Sequence, residues 1–217
     1  MKLKKYLYIS NFIDKFYDCI YNVRTCKTNT LANTRKAHYI YGPSNYQEIK
    51  NIFKQYPFSK KDHLIDYGCG LGRVMIIAAL YSCKNITGIE INKDIYDNAA
   101  KNIKSFQKRF KKLRVRFHLH HIDASDYVID DDINKFFFYD PFHLKIFIKL
   151  IYSIEQSLAR NDRTITLFFY RPEKSWIAFL NSTCIFKNIN TVYNKTYYYD
   201  PFCHGCIVSV YSNHSMK

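Results

Sequence analysis

One short segment constrains the fold of this 217-residue chain more than any other. It runs Asp66-Tyr67-Gly68-Cys69-Gly70-Leu71-Gly72-Arg73 and holds three of the chain's six glycines. An apolar strand is predicted directly before it, over 63–66, and an apolar helix over 71–81. Glycines at a strand-to-helix turn let backbone N–H groups approach a ligand closely, because no Cβ is in the way. The segment therefore predicts a ligand-binding loop in an α/β protein.

The rest of the chain alternates between the two periodicities of helix and strand. Such alternation favours a mostly parallel sheet covered by helices on both faces, with ligands bound at the carboxyl ends of the strands. Two final strands without a long helix between them predict an antiparallel pair at one sheet edge. The remaining predicted helices span 5–22, 44–57 with Ser44 as N-cap, 93–112 and 143–159, and the remaining strands span 85–91, 113–120, 135–139, 164–170, 184–193 and 207–211.

Composition limits the class of protein. Hydrophobic residues make up 47% of the chain, so a sizeable core is available and wholesale disorder is excluded. No long uncharged apolar run and no signal-peptide pattern is present, and the seven cysteines are odd in number. We therefore expect reduced thiols, a cytoplasmic location and no membrane partner. The chain is divided into an N-terminal helical segment, 1–40, and a main domain, 41–217.

The acids around the glycine loop indicate what it binds. A dinucleotide loop has the spacing G-x-G-x-x-G, whereas this one is G-x-G-x-G with Asp66 two residues before its first glycine. A carboxylate there would repel a diphosphate and suits a cationic ligand such as S-adenosylmethionine. Glu90 ends the next strand, where an acid commonly holds ribose hydroxyls. Asp123 follows the third strand and either accepts from the adenine amino group or caps the following turn.

These residues resemble the class I S-adenosylmethionine-dependent methyltransferases over about residues 40–170. The resemblance implies a Rossmann-like three-layer α/β sandwich with a seven-stranded, mostly parallel sheet and S-adenosylmethionine as methyl donor. It implies that the loop contacts the methionine moiety, Glu90 the ribose and Asp123 the adenine. The cofactor contacts expected in the loop and after the next two strands are Asp66, Gly68, Cys69, Gly70, Glu90, Ile91, Asp123 and Ala124.

A narrower resemblance concerns the methyl acceptor. Tyr41-x-Pro43-Ser44 before the loop and Arg73 after it are similar to small methyltransferases related to protein lysine methyltransferases. This similarity implies that Tyr41 and Ser44 wall the cofactor pocket. Asp140-Pro141-Phe142 partly matches the Asn/Asp-Pro-Pro-aromatic turn of amino-group methyltransferases. That match implies that Asp140 orients the acceptor nitrogen between Tyr139 and Phe142; an ordinary strand-end turn is the alternative.

Charge points to a polyanion without naming one. The formal net charge is +15, which fits a nucleic acid or an acidic protein, and equally fits the codon bias of an AT-rich genome. We expect N-methylation of a protein, peptide or nucleic acid; a small-molecule methyltransferase, a nicotinamide-dependent enzyme and a non-catalytic RNA-binding domain are the alternatives. Cys203 and Cys206 have metal-ligand spacing but lack a second pair, so no metal site is predicted.

Overall fold

The computed structural model describes residues 2–26, 42–139, 143–183, 185–193 and 206–213. Seven strands form one sheet, in the spatial order β3-β2-β1-β4-β5-β7-β6. The first five strands pair in parallel, while β7 pairs antiparallel with both β5 and β6. The predicted Rossmann-like α/β fold with an antiparallel edge pair is therefore confirmed. The strands are β1 His63–Tyr67, β2 Asn85–Glu90, β3 Arg116–His121, β4 Lys135–Tyr139, β5 Thr166–Tyr170, β6 Lys187–Tyr193 and β7 Cys206–Ser212.

In the described ranges, six α-helices cover the two faces of the sheet. They are α1 Lys2–Tyr21, α2 Tyr46–Gln55, α3 Arg73–Leu80, α4 Lys93–Arg109, α5 Leu144–Arg160 and α6 Lys174–Ser182. One core packs α1 to α4 against inward-facing residues such as Phe137 and Phe168. The other packs α5 and α6 against Phe136, Phe138 and Phe169. Two cores on opposite faces explain why the central strands are buried on both sides.

Two local predictions need correction, and one helix has no counterpart among the predictions. Asn45, not Ser44, caps α2, because its side chain accepts hydrogen bonds from the N–H groups of Gln47 and Glu48. The third strand begins at Arg116 rather than at residue 113, since Arg114 adopts a left-handed conformation with φ of 50° that interrupts the strand. Helix α6 was not predicted at all; it buries Trp176, whose ring stacks on Phe147 with centroids 4.4 Å apart.

Gly88 lets helix α3 lie close to strand β2. A Cβ at this position would be 2.5 Å from the sulfur of Met75 and 3.0 Å from that of Cys69. A side chain at position 88 would therefore require Met75 to move, so Gly88 provides the room in which Met75 and Cys69 pack against β2.

Helix α1 is turned with its acids inward. Asp14 and Asp18 are buried, whereas Phe12 is 71% exposed and Phe16 is 58% exposed. Asp18 accepts hydrogen bonds from the Thr25 and Cys26 N–H groups, from the Thr25 hydroxyl and from the Tyr46 hydroxyl. These polar contacts fix the orientation of the helix together with the packing of Tyr17 and Tyr21 against the core.

None of the helices in the described ranges combines the length and the apolar character that crossing a lipid bilayer requires.

Candidate cofactor and acceptor site

The glycine loop turns sharply between β1 and α3. Gly68, Gly70 and Gly72 have φ of 72°, 56° and 85°, a region that favours residues without a Cβ. The loop is tied to the sheet by the N–H of Cys69, which donates to the Ile89 carbonyl at 2.9 Å. The loop therefore runs over the carboxyl ends of β1 and β2, the edge where parallel sheets bind ligands.

Glu90 holds this loop in place. Its Oε2 accepts the Gly70 N–H at 3.1 Å, and its Oε1 accepts the Asn92 N–H at 2.8 Å. Burial raises the pKa of the Glu90 carboxyl, and these backbone hydrogen bonds offset part of that rise. The sequence did not indicate this contact between Glu90 and the loop, although it placed both at one site.

Asp66 lies beside Glu90, but one of its carboxylate oxygens has no N–H donor of the kind that Glu90 has. It is 3% exposed, and its Oδ2 is buried without a hydrogen-bond partner. Burial, and secondly the nearby charge of Glu90, raise the pKa of Asp66 to about 8. A buried carboxylate oxygen without a donor is costly. The site therefore fits a ligand that brings a positively charged N–H donor, as the amino group of S-adenosylmethionine does.

The other predicted cofactor contacts lie around these two acids. Ile91, directly after Glu90, is 62% exposed, and Ala124 is buried. Asp123 caps the short turn Ala124–Asp126, where its Oδ1 accepts from the N–H and the hydroxyl of Ser125, each at 2.8 Å. This was the alternative to the adenine contact, and the two uses are compatible because only Oδ1 is engaged.

Arg73 connects the loop to the N-terminal segment. It is the first residue of α3, is 2% exposed, and forms an ion pair with Asp14 at 2.6 Å. It also donates to the Thr25 hydroxyl at 2.8 Å and to the Ser44 carbonyl, and its guanidinium lies over the ring of Tyr46. The sequence marked Arg73 only as the residue after the loop, because contacts with residues 29 to 59 positions away leave no local pattern.

The predicted acceptor residues are only partly described. Tyr139 ends β4, and its ring packs edge-on against Tyr170 of β5 with centroids 4.7 Å apart. Ser44 is buried next to α2. Tyr41, Asp140, Phe142 and Cys203 lie outside the described residues, as does the side chain of Cys206. In the described part of the chain, no group of three or more potential ligands is placed to hold a metal ion.

Known structures share this architecture. An RNA methyltransferase from Salinibacter ruber, in complex with S-adenosyl-L-homocysteine, is 16% identical with a TM-score of 0.54, over 81% of this chain and 96% of that chain. Magnesium protoporphyrin IX methyltransferase from Synechocystis PCC 6803, with bound S-adenosylmethionine, is 14% identical with a TM-score of 0.54, over 94% of this chain and 96% of that chain. No curated protein matches in sequence. At this identity, the similarity shows the fold.

Fold, glycine loop and paired acids together define a class I methyltransferase that uses S-adenosylmethionine. The family described as "Histone methylation protein DOT1" matches residues 21–138, more than half of the chain. The chain belongs to this family. The matched range holds β1 to β3, the glycine loop, Asp66, Glu90 and Asp123, and most of β4.

Proposed function

We propose that this enzyme methylates an amino group of a protein, most simply a lysine side chain. The observation that carries the proposal is the match of residues 21–138 to a family of histone methylation proteins. The resemblance of Tyr41-x-Pro43-Ser44 and Arg73 to lysine methyltransferases supports it. The net charge of +15 is compatible with an acceptor carried by an acidic complex, and we propose a cytoplasmic location.

Each half of the site has its own task in this proposal. S-adenosylmethionine supplies an activated methyl group on a positively charged sulfur. Asp66 accepts a hydrogen bond from the amino group of S-adenosylmethionine. Glu90 fixes the conformation of the glycine loop through the Gly70 N–H and contacts the ribose. Asp123 accepts from the adenine amino group through Oδ2, and Ile91 packs against the adenine ring.

On the acceptor side, Asp140 orients the incoming nitrogen, and Tyr139 and Phe142 wall the pocket. Holding the nucleophile in line with the methyl group contributes most of the acceleration in such a transfer, so the acceptor side needs no strong general base. The roles of Asp140 and Phe142 remain predictions from the sequence.

RNA is the second candidate acceptor, because the chain is strongly basic. A small-molecule acceptor is the third. A labelled methyl group would be recovered in protein, in RNA or in small molecules, depending on the acceptor class, so one assay distinguishes the three.

The test is methyl transfer from S-adenosyl-L-[methyl-³H]methionine by the full-length protein. Core histones, total RNA and a small-molecule extract are offered in parallel, and labelled products are hydrolysed and identified by mass spectrometry. We expect label in the histones as methyl-lysine, and none with the Asp66→Asn variant. Label in RNA or in the extract, with unlabelled histones, would contradict a protein acceptor.

A further inference from the structure

Glu48 is a half-buried acid that the glycine-loop site does not use. It is the third residue of α2, and its carboxylate contacts residues at the carboxyl end of β5. The hydroxyl of Tyr170, the last residue of β5, donates to Glu48 Oε2. Arg171 Nη2 lies 3.7 Å from the same oxygen. Glu48 is therefore held beside β5, two strands away from β1.

The position of Glu48 in its helix would normally give it a local task. With Asn45 as N-cap, Glu48 is the residue that would return to bond the N-cap N–H in a capping box. The Asn45 N–H donates instead to the Tyr170 hydroxyl at 3.3 Å, and the Glu48 carboxylate bonds to that same hydroxyl. The N-cap N–H of α2 thus has a hydrogen-bond acceptor other than Glu48, and the Glu48 carboxylate contacts Tyr170 of the sheet instead.

One of its two oxygens lacks a partner. Glu48 Oε1 is buried and accepts no hydrogen bond, while Oε2 has both the Tyr170 hydroxyl and the nearby guanidinium. Arg171 has φ of 51°, a strained value for a residue with a Cβ, and such strain concentrates at functional sites. A carboxylate oxygen in this state is stabilised when a ligand brings a donor to it.

The surroundings place this oxygen on the acceptor side. Tyr170 is packed by the ring of Tyr139, which immediately precedes the predicted acceptor turn 140–142. Asp66 and Glu90 lie at the ends of β1 and β2, whereas Tyr139 and Tyr170 lie at the ends of β4 and β5. The donor acids and Glu48 therefore flank the site from its two sides.

We propose that Glu48 is a specificity-determining residue that receives the protonated amino group of the acceptor on Oε1. The inference rests on the proposed function, since it concerns an amine acceptor. An ammonium group offers three donors and a full positive charge. A neutral amide or hydroxyl gains less from a carboxylate, and a phosphodiester is repelled by it. Glu48 thereby selects amines at the binding step, and the ammonium then releases one proton to solvent before its nitrogen lone pair attacks the methyl group, while the donor site is unaffected.

Two measurements on the full-length protein test this role. The first is the KM for core histones together with the Kd for S-adenosylhomocysteine. The second is the affinity of Nα-acetyl-lysine methylamide in saturating S-adenosylhomocysteine, compared with its norleucine analogue, which lacks the amine. The variants are Glu48→Gln, which still accepts the Tyr170 hydrogen bond, and Asp162→Asn, which removes one exposed charge before β5 and serves as the matched control.

We expect Glu48→Gln to raise the KM for histones about tenfold or more and to abolish the preference for the lysine probe, because it removes a charge-assisted hydrogen bond. Its Kd for S-adenosylhomocysteine should stay within about twofold, and Asp162→Asn should match the parent protein in every measurement. An unchanged KM and lysine preference would overturn the role of Glu48. A parallel loss of cofactor affinity and thermal stability would also overturn it, as a structural role predicts.

If Glu48→Gln does not fold, Glu48→Asp is measured instead. It keeps the charge but moves it back by one methylene, so we expect weaker lysine binding with retained cofactor binding; unchanged lysine binding overturns the inference. Unlabelled histones with the parent protein would contradict the proposed function alone. The lysine probe then decides the inference: binding that Glu48→Gln abolishes supports it, and no binding to the parent protein overturns it.

Discussion

The proposed donor half and the proposed acceptor half of this site are built in different ways. On the donor side, Asp66, the glycine loop and Glu90 lie within 25 residues of one another, and backbone hydrogen bonds hold them together. On the acceptor side, Glu48 and Tyr170 meet across 122 positions of the chain. The donor half is thus a local motif, whereas the acceptor half exists only after the sheet has formed. This difference suggests that acceptor choice can change while donor binding stays the same.

The largest expected effect comes from Arg73, which ties the start of α3 to Asp14 of α1 and to the Ser44 carbonyl. Arg73→Met leaves the buried Asp14 without its counter-charge, so we expect a loss of about 3–5 kcal/mol in the free energy of unfolding. Urea denaturation measures this. Adding Asp14→Asn to Arg73→Met should recover part of the loss, because the uncompensated charge is removed. A loss below about 1 kcal/mol would show that other contacts hold α1 and α3 together.

The next effect separates the two acids of the donor half. Above about pH 8, where Asp66 is ionised, Asp66→Asn removes a buried charge that lacks a donor, so the protein without cofactor should become more stable, while its affinity for S-adenosylhomocysteine falls about 100-fold. Glu90→Gln should instead destabilise the protein, because its carboxylate already accepts two backbone hydrogen bonds. Thermal melts with and without S-adenosylhomocysteine measure both expected changes, a higher melting temperature for Asp66→Asn and a lower one for Glu90→Gln. A lower melting temperature for unliganded Asp66→Asn would contradict our interpretation.

The smallest effect is a pH dependence confined to the donor half. Burial and the charge of Glu90 raise the pKa of Asp66 to about 8, above its ordinary value of about 4. The folded protein therefore keeps a proton that the unfolded chain has released. The stability that this proton contributes is fully present below about pH 4 and is lost as the pH rises towards about 8. Binding of an amino group requires the carboxylate, so the affinity for S-adenosylhomocysteine should rise over the upper part of this range.

Calorimetry in two buffers of different ionisation enthalpy should detect release of a proton on binding below about pH 8. Asp66→Asn should abolish that release. If the parent protein binds S-adenosylhomocysteine without releasing a proton, Asp66 is already ionised before binding, and its pKa is not raised as stated.

The sequence was sufficient for the parts of the molecule that depend on neighbours along the chain. The glycine loop, β1, β2 and the antiparallel edge pair were all predicted, because periodicity and turn residues encode them locally. Helix α6 was missed, since its stability comes from Trp176 packing on Phe147 and not from a strong pattern of its own. Glu48 could not be recognised, because its N-terminal position in α2 is that of an ordinary capping residue.

Helix α1 illustrates the same limit in a different form. Among the α1 residues whose side chains are described, Phe12 and Phe16 face solvent, while Asp14 and Asp18 are buried. Tyr17 and Tyr21 pack against the core beside these acids, so a hydropathy profile does not identify the buried face of the helix. Substitutions at Phe12 or Phe16 can accumulate at little cost, whereas the inward acids are constrained by their partners. Searches for distant relatives should therefore give the spacing of the two acids more weight than the apolar positions of the same helix.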